Sequence, residues 1–122
     1  MTDMTMDNFL AVLSSSEPVP GGGGACGYVA AVGMSLGNMV LALTTGKKKY
    51  AEYQEEIEEL IVKATDLTKR LAECMDKDAE SFKPLAAAYG LPKDTEEQIK
   101  EREAIMAKAL VTASEAPLSM ME

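Results

Sequence analysis

The sequence predicts an all-α helical bundle with a buried central helix and long antiparallel helices. From Tyr50 to Tyr89, apolar or small residues recur at alternating steps of three and four. From Ala25 to Leu43 the chain carries no charge and is rich in Ala, Gly, Val, Met and Leu. No stretch of useful length alternates apolar and polar residues in the manner of a strand. At 122 residues the chain suits one domain, spanning 1–122, or a fragment of a larger one that lacks its C-terminal helices, and leaves no room for two substantial cores.

Each element can be placed in order. Residues 5–15 form a short helix with Phe9, Leu10, Val12 and Leu13 apolar. Pro18, Pro20 and the run Gly21-Gly22-Gly23-Gly24 interrupt it, and the next helix is expected near Ala25. The uncharged stretch Ala25–Leu43 has the length of a membrane span, and Gly33-x-x-x-Gly37 resembles a helix-packing motif. Asn38, Ser35 and three glycines lower its hydrophobicity, and the amphipathic helices around it need something to cover. The central helix of a soluble bundle is therefore the preferred expectation.

The long segment carries its stripe through Tyr50, Tyr53, Ile57, Leu60, Ala64, Leu67, Leu71 and Cys74, and its next position is Asp78. Leu71, Met75, Phe82 and Leu85 flank that carboxylate, whereas Asp76 falls on the polar side with Lys69 and Lys83. A carboxylate on an apolar face has two explanations. It is structural, paired across to a neighbouring helix, or it is functional, because burial raises a carboxyl pKa and suits it to acid–base work. Pro84 is expected to kink the helix nearby, and Gly90-Leu91-Pro92 to close it. Thr95-Glu96-Glu97-Gln98 reads as a capping box opening a last helix. That helix carries Ile99, Ile105, Met106, Ala109, Leu110 and Ala113, has Arg102 at the edge of its stripe, and meets Pro117.

Charge and composition exclude several functions. Twelve basic against twenty acidic residues give a net charge of −8, which argues against nucleic-acid binding through a basic surface. With no His, no Ser–His or Cys–His pair and no His-ligated metal site can be built. Cys26 and Cys74 show no metal-ligand spacing, and no metal is expected. The first residues lack a basic signal-peptide region, so the cytoplasm is the expected compartment. The only basic side chains in residues 1–50 are Lys47, Lys48 and Lys49, which mark either an anion-receiving patch or a solvated helix start.

Several motifs in order resemble the cyclodeaminase/cyclohydrolase family of folate enzymes. They are Pro20-Gly-Gly-Gly-Gly-Ala25, Met39-Val-Leu-Ala-Leu-Thr44, Gly46-Lys-Lys-Lys-Tyr50, Met75-Asp-Lys-Asp-Ala-Glu-Ser-Phe82, Ala88-Tyr-Gly-Leu-Pro-Lys93, Arg102 and Ala116-Pro-Leu118. This family comprises the C-terminal domain of formiminotransferase-cyclodeaminase and stand-alone bacterial methenyltetrahydrofolate cyclohydrolases. Members usually carry further helices beyond the point where this chain stops, and often have Ser where this chain has Gly24.

The resemblance implies a dimeric helical domain that handles tetrahydrofolate one-carbon units, with a tetrahydrofolate derivative as substrate and no permanently bound cofactor. The expected reaction is hydrolysis of 5,10-methenyltetrahydrofolate to 10-formyltetrahydrofolate. The alternatives are ammonia-releasing ring closure of 5-formiminotetrahydrofolate and a non-catalytic member acting only in assembly. In the absence of His, Asp78 is the expected acid–base residue. Pro20, Gly21, Gly22, Gly23 and Gly24 are expected to present backbone N–H groups to the substrate, and Lys47, Lys48, Lys49, Lys93 or Arg102 to bind the folate glutamate tail.

Overall fold

Thr5 starts the first helix by accepting a hydrogen bond from the Asn8 amide at 3.2 Å, and α1 runs over Met6–Leu13. A computed structural model of the chain describes residues 1–122; after α1 come α2 (Gly22–Thr44), α3 (Gln54–Tyr89) and α4 (Glu96–Met121), with no strand. A 3₁₀ turn, Lys48–Tyr53, precedes α3, so the long helix begins four residues after the periodic stripe does.

The turn between α2 and α3 needs Gly46, whose φ of +76° lies in the left-handed region that side chains disfavour. Its amide donates to Gln54 Oε1 at 3.0 Å, which ties the turn to the start of α3. α2 and α3 then run antiparallel. Gly23 lies against Asp78, Gly27 against Leu71 and Met75, and Asn38 Nδ2 donates to Thr65 Oγ1 at 3.2 Å. At Gly27 an added Cβ would stand 3.3 Å from the Leu71 carbonyl oxygen and 3.1 Å from Met120 Cε, so three helices converge there.

The capping box at Thr95 is formed in full: Thr95 Oγ1 accepts from the Gln98 amide and Gln98 Oε1 accepts from the Thr95 amide, each at 3.2 Å. α4 turns back along α3 and brings Glu115, Ala116 and Ser119 beside Asp76, Lys77, Glu80 and Ser81. Neither internal proline ends its helix, for α3 continues through Pro84 and α4 through Pro117. Pro84 is exposed, where water can take the carbonyl that its missing N–H leaves free.

The core is built from small residues: Ala31 of α2, Ala64, Cys74 and Ala79 of α3, and Ala109 and Ala116 of α4, around Phe9, Ile57, Met75 and Leu85. Phe9 packs on the Tyr28 ring with centroids 5.4 Å apart. Two expectations need correction. Tyr53, Leu60 and Leu67 sit on the stripe yet are exposed, because α4 ends opposite the middle of α3 and leaves its N-terminal half with α2 as the main neighbour. The central helix is also not buried all round: only Gly24, Gly27 and Ala31 of α2 are buried, while Val29, Leu36, Val40 and Leu43 are 56–69% exposed. The four helices described are too few to surround it. By length and composition alone α2 could cross a membrane.

Candidate functional site

The glycine run serves close approach. None of Gly21 to Gly24 has a positive φ, and Gly22–Gly24 already form the first turn of α2, with Gly21 as N-cap. A Cβ on Gly23 would overlap the Asp78 carboxylate, standing 2.6 Å from its Cγ. Gly22, by contrast, has open space where its Cβ would be. Only a residue without a side chain at position 23 lets the start of α2 settle on the acid.

Asp78 is half-buried and has no cation within salt-bridge distance. Burial raises its carboxyl pKa above the ordinary aspartate value, and the Gly24 amide facing the carboxylate partly offsets that rise. Gly21, as N-cap, offers no side chain to the free amides of the first turn, so this carboxylate stands where a capping group would. Of the two roles foreseen for such an acid, the contact with the first turn of α2 is the one the fold displays. Asp78 can hold the end of α2, and its carboxyl keeps its proton to higher pH than an exposed aspartate does.

Asp76, two residues earlier, does something the sequence did not signal. Its Oδ1 accepts from the Met1 α-ammonium at 2.7 Å, which raises the pKa of that ammonium, the hydrogen bond being the largest cause. The N-terminal residues so anchored help wall an apolar groove of about 860 Å³ between α1, α2 and α3. Met1, Met4, Met6, Phe9, Leu10, Tyr28, Val32, Leu36, Met39 and Met75 line it, and Ala25 and Met75 bring one end close to the Gly24–Asp78 contact. The one advance signal for the groove was the apolar character of α2 on every face.

Of the other expected site residues, one lies with Asp78 and the basic ones lie elsewhere. Pro20 is buried and belongs to the Asp78 end, its Cβ 3.5 Å from where a Gly24 Cβ would stand. Lys47, Lys48 and Lys49 sit exposed at the opposite end of the α2–α3 pair, about 35 Å from Asp78 by the rise of α3. Lys93 is exposed in the α3–α4 connection. Arg102 is half-buried with its Nε unpartnered, and it lies about 21 Å along α4 from Ala116, which borders the turn that carries Asp78.

Residues 5–122 match the family model described as formiminotransferase-cyclodeaminase. The chain belongs to that family. It is 42% identical over 115 residues to a methenyltetrahydrofolate cyclohydrolase of Methylorubrum extorquens, covering 94% of this chain and 55% of that protein. It is 33% identical to a formimidoyltransferase-cyclodeaminase of Dictyostelium discoideum over 122 residues, all of this chain and 22% of the relative. Among solved structures, formiminotetrahydrofolate cyclodeaminase from Thermotoga maritima superposes with a TM-score of 0.79 at 25% identity, covering 97% of this chain and 55% of that one. The chain therefore spans about half the length of the cyclohydrolase and of the solved cyclodeaminase. The family resemblance and the all-α bundle expected from the sequence both hold.

Proposed function

We propose that the protein hydrolyses 5,10-methenyltetrahydrofolate to 10-formyltetrahydrofolate. The carrying observation is Asp78, a half-buried acid with raised pKa and no neutralising cation, set against the first turn of α2 in a chain 42% identical to a methenyltetrahydrofolate cyclohydrolase. In this reaction water adds to the bridging carbon and the bond from that carbon to N5 breaks. N5 takes up one proton, the second proton of the water is released, and the formyl group stays on N10. Asp78 is the group that takes a proton from the attacking water and returns one to N5. The apolar groove next to it suits the flat aromatic part of a folate.

The glycine run borders the reacting centre, and Lys47, Lys48, Lys49, Lys93 and Arg102 are the candidates for the glutamate tail. The protein acts in the cytoplasm as a homodimer, without a permanently bound cofactor or metal, and without nucleic-acid or membrane partners. A second reading, ammonia-releasing ring closure of 5-formiminotetrahydrofolate, is supported by the likeness to the Thermotoga cyclodeaminase.

An absorbance assay for loss of the methenyl bridge tests the proposal, run beside an ammonia-release assay on the formimino compound. Loss of the methenyl absorbance is expected. Ammonia release without it would replace the first reading by the second, and neither activity would overturn both.

A further inference from the structure

Gly23 and Gly24 meet the same carboxylate with opposite tolerances. At position 23 any Cβ would overlap the Asp78 carboxyl group. At position 24 a Cβ would stand 3.5 Å from Pro20 Cβ, 3.9 Å from Asp78 Oδ2 and 4.0 Å from Met1 Sδ, all ordinary van der Waals separations. Gly24 and Pro20 are both buried. A small side chain therefore fits at position 24, and among its three neighbours Asp78 Oδ2 is the oxygen it would face. A hydroxyl, one bond beyond that Cβ, comes within hydrogen-bond reach of it.

As the chain stands, burial and the Gly24 backbone amide are the two influences on the Asp78 carboxyl, and no side chain donates to it. The charged groups around this end are Asp76, Lys77 and Glu80 on α3, Glu115 on α4, and Asp3 with the Met1 α-ammonium in the N-terminal segment. α2 carries none. Asp76 takes up the ammonium at 2.7 Å, and no cation stands within salt-bridge distance of Asp78. A carboxylate that gains a donor gives up its proton more readily, and one that lacks it keeps the proton to higher pH. Position 24 is where such a donor would sit.

We propose that Gly24 is a positioning residue for the acid: by withholding a side-chain donor it leaves Asp78 Oδ2 free to serve as the oxygen that passes the proton between water and substrate, and a hydroxyl at position 24 would take that oxygen as its acceptor. A hydroxyl buried beside Pro20 needs an acceptor, and a carboxylate offers the stronger, charge-assisted bond. That bond would cost the acid both its free oxygen and its basicity. The proton-transfer part rests on the folate reading above; the control of Asp78 by position 24 does not.

Two measurements test this. Gly24→Ser adds a Cβ and a hydroxyl, and Gly24→Ala adds the Cβ alone. In protein isotopically labelled at the aspartate carboxyl carbons, the Asp78 resonance, identified by its loss in Asp78→Asn, is followed against pH. Its midpoint should fall by about one unit in Gly24→Ser, the scale of a hydrogen bond to a charged group, and should not fall in Gly24→Ala. Equal midpoints in the two variants would overturn the proposal. So would a Gly24→Ser chain that fails to fold by circular dichroism, since position 24 would then have no place for a hydroxyl bonded to the acid. The second measurement is kcat against pH on 5,10-methenyltetrahydrofolate. The limb set by Asp78 should move to lower pH in Gly24→Ser by the same amount as the resonance, and the plateau should drop below that of Gly24→Ala. A moved resonance with an unmoved limb would mean that Asp78 does not carry the proton in turnover. If wild type is inactive on the methenyl compound, the folate reading fails, while the resonance still decides what position 24 does to Asp78.

Discussion

Gly23 and Asp78 occupy one space: the carboxylate fills the volume that a side chain on Gly23 would need. The relationship holds α2 and α3 together at one end of their pair, and it keeps the acid half-buried without a counter-charge.

Substitution at the two neighbouring glycines should separate this contact from ordinary helix propensity. Gly22→Ala meets nothing within 4 Å and should stabilise the protein by up to about 1 kcal/mol, since Gly is a poor helix former. Gly23→Ala should destabilise it, because the carboxylate must move. Urea unfolding of both variants measures this, and equal effects would mean that the contact is not constraining.

Asp78→Asn should lower turnover roughly 100-fold or more, the scale of a lost acid–base group. The amide has the shape of the acid and can still accept from the Gly24 amide, so the fold should persist. Asp76→Asn, which only loosens the hold on Met1, should leave turnover nearly unchanged. Comparable losses in both would remove Asp78 from its special position.

Stability should depend on pH through Asp78 with a defined sign. Its folded pKa is raised, so the folded chain holds this proton more tightly than the unfolded chain, whose value is about 3.9. The resulting stabilisation is complete below the unfolded value and disappears as pH rises through the folded one. Against Asp78→Asn, wild type should therefore lose ground as pH climbs through that window, then run parallel to it. Urea midpoints from pH 3 upward check this; a wild type that gains on the variant with rising pH would show that the ionised acid is the stabilising form.

Replacing Lys47 and Lys48 by Ala should raise KM more for polyglutamylated than for monoglutamyl substrate. Added salt should reproduce the effect in wild type, because exposed charges are screened over about 10 Å at 0.1 M. Equal changes for both substrates would return the cluster to plain solvated surface.

The helices were legible in the sequence because each is set by local signals: Thr5 and Thr95 as caps, the glycine turn at position 46, and three- and four-residue spacing through α3. The singular position of Asp78 was legible for the same reason, as the first charge to break an apolar stripe. What surrounds that acid was not. The glycine run reads in sequence as a helix break, because composition cannot tell a glycine needed for its backbone angle from one needed for its missing Cβ. Leu60 and Leu67 were misplaced because periodicity reports which face is apolar, not whether a neighbour reaches it. The Met1–Asp76 contact and the distance between the lysines and Asp78 depend on how whole helices are laid side by side, which no local pattern carries.

The methionine lining of the groove gives the protein a graded sensitivity to oxidants. Thioethers convert to sulfoxides according to their exposure, and each conversion puts a polar group into apolar surroundings. Met6 and Met39, 71% and 52% exposed at the groove edge, should react first, and Met75, at 2%, last. Peroxide damage would thus wet the rim of the groove while the packing beneath Asp78 is still intact, so ligand binding should be lost at doses that leave the helices folded.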